Sequence, residues 1–295
     1  MEQKPQMDTL GAMALTAFAL HLAFNQVVIK VTADGFGPIF AAGVRSVGAA
    51  CVLLLWMWFR GVPLSVSRSM VPAGALSGLL FALEFLLLFS ALDFTTVSRA
   101  SVIFYSMPVW LALASHFLLP GDRMTRLKGA GLVLATMGVA LALLDRGDAT
   151  ASLAGDLMAL SAAICWAAIA LCLKITSIKT MPPAQQLMFQ VVVSAPILLF
   201  VAILTGDMIR EPRLIHYAGM IFQIVGVASF GFLFWFWLLK IYPASAVASF
   251  SFLSPVFAVL LGWFLLGEVV GVRVWIALVL VSVGIYLINR KPTRV

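Results

Sequence analysis

The sequence contains ten apolar segments of roughly 20 residues each, joined by short polar stretches, and this pattern constrains the fold more than any other feature. A helix needs about 20 mostly apolar residues to cross the hydrocarbon core of a bilayer. We therefore predict an all-α polytopic membrane protein with ten transmembrane helices. The predicted spans are 9–31, 38–59, 71–92, 96–119, 127–144, 155–177, 184–205, 215–239, 244–266 and 271–289.

The composition excludes a soluble protein. Hydrophobic residues make up 63% of the chain and charged residues 11%, whereas soluble domains carry about 25% charged residues. An outer-membrane barrel would instead show short segments of alternating polarity. The net charge of +7 does not indicate nucleic-acid binding, because the basic residues lie mostly in short loops between the apolar segments.

The distribution of Lys and Arg in the short loops predicts the orientation in the membrane. With the N-terminus inside, 12 of the 19 basic residues fall on the inner side and 6 on the outer side, while Arg45 lies within a span. We therefore expect both termini to be cytoplasmic. The basic residues assigned to the outer side are Lys30, Arg99, Arg146, Arg210, Arg213 and Arg273.

The two halves of the chain resemble each other. The segment GAMALTAFALHLAFNQVVIK at 11–30 aligns without a gap with GDLMALSAAICWAAIALCLK at 155–174. Further matches keep the same order at spacings of 144 to 148 residues, namely Pro38 with Pro183, Arg45 with Gln190, Gly78 with Gly226, Ser101 with Ser249, Pro108 with Pro255, and Gly138 with Gly284. Because five spans per half is an odd number, the second half must be inverted relative to the first.

This repeat predicts a division of the chain into two five-helix units. The predicted parts are a cytoplasmic tail at 1–8, a first repeat at 9–144, an extracytoplasmic linker at 145–154, a second repeat at 155–289 and a cytoplasmic tail at 290–295. Inverted repeats are typical of secondary transporters, whose halves exchange conformations and so open alternately to each side.

The same residues resemble a known family. A first helix of small residues ending in Lys, Pro-x6-Arg in the second helix, an Ala/Ser-rich stretch before a proline in the fourth, and Gly-Glu before the last helix are similar to the EamA family of the drug/metabolite transporter superfamily. The segment FTTVSRASVIFYSMPVW at 94–110 most resembles the YddG-type exporters of aromatic amino acids. The first half departs from the pattern with His21-Leu22, where the second half has Cys165-Trp166.

The resemblance implies a basket of ten helices in a bacterial inner membrane. It implies export of amino acids, aromatic and other apolar ones foremost, or of related metabolites, by alternating access. Export of other small metabolites or of cationic drugs stays open as an alternative, as does a membrane protein that transports nothing. We expect a small-molecule substrate and the lipid bilayer as partners, no nucleic acid, and a monomer.

Glu84 lies near the middle of the apolar run AGALSGLLFALEFLLLFSAL at 73–92. A carboxylate at the centre of a span costs about 2.5–3.5 kcal/mol on insertion scales, so it should face the bundle or a wet cavity. We expect Glu84, with Phe81 on the same helical face, to line the substrate path and to bind an amino group or carry a proton. The alternative is a fixed structural pair with Arg45 or His21.

Other polar and aromatic residues of the spans are candidates for the same path. His21 and Asn25 lie one turn apart and could instead bond to neighbouring helices, and Arg45 could bind a carboxylate or tie two helices together. Pro108 and Pro255 each remove a backbone donor, which predicts helix kinks used in gating, with polar groups gathered near the midplane. The candidates near these prolines are Tyr105, Ser251 and Ser254. Among the many aromatic residues, Trp110 and Trp166 are further candidates for the path, because they are expected to lie deeper in the membrane than the interfacial tryptophans.

Several kinds of chemistry lack a sequence signature. Cys51, Cys165 and Cys172 all lie within apolar segments and form no disulfide or metal-binding pattern. The sequence has no Walker A motif and no HExxH motif. We therefore predict no enzyme, no catalytic residues, no metal site and no cofactor.

Overall fold

The structure is a computed structural model that describes residues 8–119, 124–144, 152–242 and 250–289, and these residues form an all-helical bundle. Within them, nine helices are long and apolar enough to cross a membrane, and a further apolar helical stretch, Phe250–Leu266, is shorter. The two predicted tails, apart from Asp8, lie outside the described residues, as does most of the predicted linker. Large apolar side chains cover the outer surface, as expected for a protein in contact with lipid.

The helices follow the predicted spans closely. In the first half they are α1 Thr9–Ala33, α2 Pro38–Phe59, α3 Val71–Phe94, α4 Val97–Phe104, α5 Met107–Leu118 and α6 Arg126–Leu144. In the second half they are α7 Leu153–Ile175, α8 Pro183–Thr205, α9 Leu214–Ile221, a π-helix Phe222–Gly231, α10 Phe232–Ile241, α11 Leu253–Leu266 and α12 Val272–Asn289.

Local residue chemistry sets several of these boundaries. Asp8 accepts a hydrogen bond from the Gly11 amide at 2.8 Å and so caps α1. Helix α7 begins two residues before its predicted start, because Ser152 caps it through the Ala154 amide. Helices α8 and α11 both end at a glycine in the left-handed conformation, with φ of 72° at Gly206 and 65° at Gly267.

The fourth span is two helices and not the single kinked helix predicted from Pro108. Helix α4 ends at Phe104, and α5 begins at Met107. Pro108 is the second residue of α5, where a missing backbone donor costs nothing. Ser106 donates a hydrogen bond to the Ile103 carbonyl at 2.6 Å, which satisfies an acceptor at the break locally.

The eighth span was predicted as one α-helix, but ten of its residues form the π-helix Phe222–Gly231. The Ser229 hydroxyl donates to the Ile224 carbonyl, five residues back, at 2.8 Å. His21 of α1 donates from Nε2 to the Gly226 carbonyl at 3.1 Å. Such segments are frequent at functional sites, and no pattern in the apolar sequence distinguishes this one from an α-helix.

Helices α6 and α12, the last helix of each half, pack against each other through glycines. A Cβ atom added at Gly131 would lie 2.7 Å from the Gly284 carbonyl oxygen, and one added at Gly138 would lie 2.8 Å from the Ala277 carbonyl oxygen. The two contacts are related by the repeat at a spacing of 146 residues. Gly131 is equivalent to Ala277, and Gly284 is equivalent to Gly138, so exchanging the halves turns the first contact into the second. A self-complementary contact of this kind is what a twofold axis between equivalent elements produces.

We predict that Gly131→Ala lowers the melting temperature of the purified protein. Its new methyl group would meet the Gly284 backbone and the side chains of Leu287 and Ile288 at 2.7–3.0 Å. Overpacking of this kind typically costs about 1–3 kcal/mol. The matched control is Gly129→Ala on the same helix, where the nearest atom is 3.9 Å from the new Cβ. Equal melting temperatures for the two variants would contradict the close contact.

Candidate functional site

A cavity of about 440 Å³ lies between the two halves. Its volume falls within the range of about 300–1,000 Å³ found for small-molecule sites. All of the long helices except α6 contribute to its wall, which is mainly apolar. Of the residues predicted from the sequence, the cavity is lined by Asn25, Phe81, Glu84, Tyr105, Pro108, Trp166, Ser251 and Ser254.

The cavity extends toward one side of the bundle. We call the side that carries Asp8 and Asn289 the terminal side and the opposite side the far side. Wall residues include Pro183, the first residue of α8, and Asn289 itself, both on the terminal side. Toward the far side the wall reaches only Gln26, Arg45 and Leu88, each six or seven residues short of its helix end. The structure is therefore open toward the terminal side.

Two opposite charges border this cavity without pairing. Glu84 and Arg45 are each only 4% exposed, and both contribute to the cavity wall. No salt bridge or hydrogen bond joins either of them to another side chain in the described part of the chain. The guanidinium carbon of Arg45 instead lies 4.6 Å from the ring centre of Phe85 and 5.7 Å from that of Phe89.

Neutral polar groups border the same space. The side-chain oxygens of Asn25 and Gln26, next to each other on α1, are buried and have no hydrogen-bond partner among the described residues. The Tyr105 hydroxyl, from the break between α4 and α5, lies beside the side chains of Gln26 and Ser254. Helix α11 supplies Ser254, so the two halves meet at this group of polar side chains.

Aromatic side chains from both halves form much of the remaining wall. Phe104 of α4 and Trp166 of α7 stack with ring centres 5.0 Å apart and planes 13° from parallel. Phe81 and Phe85 lie on α3 with ring centres 4.2 Å apart. The aromatic rings make most of the cavity wall apolar. Arg45, Glu84 and the neutral polar side chains are the polar part of the same wall.

Three predicted residues lie away from the cavity wall. His21 bonds to the Gly226 carbonyl of the π-helix, which links α1 to the eighth span. Trp110 donates its indole N–H to the Ser106 hydroxyl at 3.0 Å and so braces the break before α5. Pro255 is the third residue of α11, and its side chain is buried. The part of the ninth span before Phe250 lies outside the described residues.

An ion cluster joins the halves on the far side. Arg210, in the loop between α8 and α9, donates to both carboxylate oxygens of Asp93 at 2.8 and 2.9 Å and to Asp207 at 2.7 Å. It also donates to the Ala33 carbonyl at the end of α1. The hydrogen bonds that Arg210 donates to Asp93 and Asp207 raise its pKa above the usual value, so this cation persists at physiological pH.

A second, buried pair lies below the far-side surface. Arg99 of α4 bonds to Asp156 of α7, with 2.6 Å between Nη2 and Oδ2 and side chains 2% and 0% exposed. Thr95 donates to the same carboxylate, and Arg99 also donates to the Ala142 carbonyl at the end of α6. Breaking such a pair would leave an uncompensated buried charge, so it holds the first and second halves together.

Glu268, from the Gly-Glu pair after α11, completes the closure of the far side. Its carboxylate accepts hydrogen bonds from the backbone amides of Val97 and Ser98 and from the Ser98 hydroxyl. It therefore caps the N-terminus of α4, where a negative charge is favoured by the helix dipole. A residue of the second half thus fixes a helix of the first.

Two inverted halves around a central cavity that opens to one side are the architecture of secondary transporters. The sequence model of the EamA-like transporter family matches residues 9–144 and, a second time, residues 153–290. The chain belongs to the EamA-like transporter family. It is a multi-pass membrane protein, and it is not an enzyme.

Relatives of similar length carry transporter names. "Uncharacterized transporter YoaV" of Bacillus subtilis is 25% identical over 287 residues, covering 94% of this chain and 95% of the relative. "Uncharacterized inner membrane transporter YedA" of Escherichia coli K12 is 25% identical over 292 residues, covering 93% and 92%. A crystal-structure chain of 19% identity, with a TM-score of 0.68 and coverage of 93% and 95%, shows the same fold. These names indicate transport and no particular substrate.

Sequence reasoning missed several residues of this site. Arg99 and Arg210 were treated only as outer loop charges, and Asp156 and Asp93 were not singled out. Their partners are 57 and 117 residues away in the chain, so no local pattern marks them. Gln26 was missed beside Asn25, although a second amide at a central position of a span was a usable signal.

We predict that Arg210→Ala increases access to the cavity from the far side, because it removes the ion cluster between the halves. The measurement is the rate at which an impermeant thiol reagent, applied from the far side, labels Leu88→Cys in a background without native cysteines. Loss of a conformational coupling should raise this rate about fivefold or more. Arg273→Ala, an exposed arginine on the same side, is the control. Equal rates in the two variants would show that the cluster does not close this side.

Proposed function

We propose that this EamA-family protein exports amino acids, aromatic and other apolar ones foremost, by alternating access. The observation that carries the proposal is the 440 Å³ cavity between the halves, with Glu84 on its wall. The cavity is open to the terminal side and separated from the far side by ion pairs. A transporter that opened its far side in turn would carry a molecule from one face of the membrane to the other.

The wall chemistry supports an amphipathic substrate with an ammonium group. Aromatic and aliphatic side chains account for most of the wall, and contact with an aromatic ring of the substrate contributes about 0.5–1.5 kcal/mol beyond burial. The Glu84 carboxylate has no hydrogen-bond partner among the described residues, so it is available to an ammonium group. Amino acids with apolar side chains combine these two properties, in keeping with the resemblance to YddG-type exporters.

The direction of transport follows from the proposed orientation. The excess of Lys and Arg in the loops on the terminal side favours a cytoplasmic location for that side. The relative YedA is named an inner membrane transporter, which supports placement in a bacterial inner membrane. The cavity then faces the cytoplasm and is ready to load a substrate for export.

We predict that Glu84→Gln weakens amino-acid transport by the purified protein in liposomes. The substitution keeps the size of the side chain and one acceptor but removes the charge. A hydrogen bond to a charged group contributes about 1.5–3 kcal/mol, so the apparent affinity should fall by about tenfold or more. Glu211→Gln, which changes an exposed acid in the loop before α9, is the matched control and should leave transport unchanged.

The same variant separates the remaining alternatives. If Glu84 carries a proton, Glu84→Gln abolishes pH-dependent flux but leaves exchange of substrate intact. Lower yield and melting temperature with normal affinity would contradict the binding role and indicate a structural one. Saturable flux of cations but not of amino acids would favour the export of cationic drugs, and the absence of any flux in the wild type would contradict transport itself.

A further inference from the structure

We infer that Arg45 binds the carboxylate of the substrate, so that the cavity selects zwitterions by holding one between Arg45 and Glu84. This inference rests on the proposed function, and it adds a second specificity-determining residue to the same site. It concerns which ligands are preferred: amines and carboxylic acids that carry only one of the two charges should bind more weakly than a zwitterion of the same size.

Among the described residues, Arg45 has no acidic partner of the kind that a buried guanidinium normally has. The side chain is 4% exposed, lies on the cavity wall, and makes no hydrogen bond or salt bridge with the residues that the structure describes. Its Nε atom is fully buried and has no hydrogen-bond partner in the part of the chain that the structure describes. Burial of a charge is costly unless the charge is paired and hydrogen-bonded. An anionic ligand in the cavity would remove this cost.

The contacts that Arg45 does make leave its donors available. The guanidinium lies over the rings of Phe85 and Phe89, and this cation–π contact uses the charge without using the N–H groups. The planar fork of N–H donors matches a carboxylate in a two-point contact. The rings therefore hold the guanidinium in place while its hydrogen-bonding capacity remains for a ligand.

Glu84, on the same cavity wall, does not accept hydrogen bonds from the Arg45 guanidinium. Arg45 and Glu84 are close enough to attract each other electrostatically, but they form no salt bridge. A closed pair would neutralise both charges and leave the cavity with neutral polar groups only. Two separate charges of opposite sign instead complement a ligand whose ammonium and carboxylate lie close together, as they do in an α-amino acid.

The cavity wall carries acceptors for an ammonium group in addition to Glu84. The side-chain oxygens of Asn25 and Gln26 have no hydrogen-bond partner among the described residues and belong to the same cavity wall. An ammonium group carries three N–H donors. A carboxylate and two amide oxygens can satisfy all three. The wall thus provides acceptors for one end of a zwitterion and a donor fork for the other.

The experiment compares three ligands that share a phenyl ring: phenylalanine, phenethylamine and 3-phenylpropionate. Binding to the purified protein is measured for the wild type, Arg45→Met, Arg45→Lys and Glu84→Gln, with Arg60→Met as a control at the exposed end of α2. Arg45→Met should weaken phenylalanine and phenylpropionate by about tenfold or more and phenethylamine by less than about twofold. Glu84→Gln should weaken phenylalanine and phenethylamine and spare phenylpropionate. Arg45→Lys should fall between wild type and Arg45→Met.

A ligand-binding role predicts that Arg45→Met and Glu84→Gln each weaken a different singly charged ligand, whereas a structural role predicts the same loss for all three ligands. Equal loss for all three ligands, or no loss for any, in Arg45→Met would overturn the inference and leave amino-acid transport by the wild type in place. A wild type that binds no amino acid would overturn both proposals. If neither Arg45 variant folds, the wild type alone still decides, because phenylalanine amide, which lacks the carboxylate, should bind about tenfold more weakly than phenylalanine. Equal binding of these two ligands would overturn the inference.

Discussion

The cost of burying charge inside an apolar layer determines how this protein is organised. Arg99 and Asp156 meet that cost by pairing with each other, and their bond joins the two halves. Arg45 and Glu84 are buried to a similar degree but form no such bond with each other or with any other described residue. The buried charges that pair with each other therefore hold the fold together, and the buried charges at the cavity remain available to a ligand. At the cavity, the cost of burying charge is not offset by an ion pair between described residues.

The repeat gives the two halves one shape but not the same charges. The residues aligned with Arg45 and Glu84 are Gln190 and Phe232, and both also line the cavity. Both charges therefore come from the first half, which would fix the orientation of a polar substrate during transport. The far-side pair is also unrepeated, because Ala12 and Val247 occupy the positions equivalent to Asp156 and Arg99. Closure of the terminal side must therefore use interactions other than an equivalent ion pair. The state that is open to the terminal side and the state that is open to the far side need not be equally stable.

Much of the fold could be predicted from the sequence, because the features concerned are local. Span length follows from the thickness of a bilayer, and the repeat is visible in residues such as Gly138 and Gly284, which pack between α6 and α12. The π-helix was not predictable, because its hydrogen-bond pattern leaves no trace in an apolar sequence. The ion pairs were missed for another reason, since their partners belong to different halves. Glu84 stood out because a lone acid in a span has few explanations, whereas Gln26 did not.

Alternating access is most directly tested by measuring distances on both sides of the membrane in the same protein. Spin labels at Met13 and Lys179 would report on the terminal side, and labels at the repeat-equivalent positions Leu157 and Asp34 on the far side; all four residues are exposed. Because the pairs are equivalent, each should adopt in one state the distance that the other has in the opposite state. On addition of substrate, the Leu157–Asp34 distance should lengthen as the Met13–Lys179 distance shortens. Distances that stay fixed with substrate bound, or that lengthen together, would contradict alternating access.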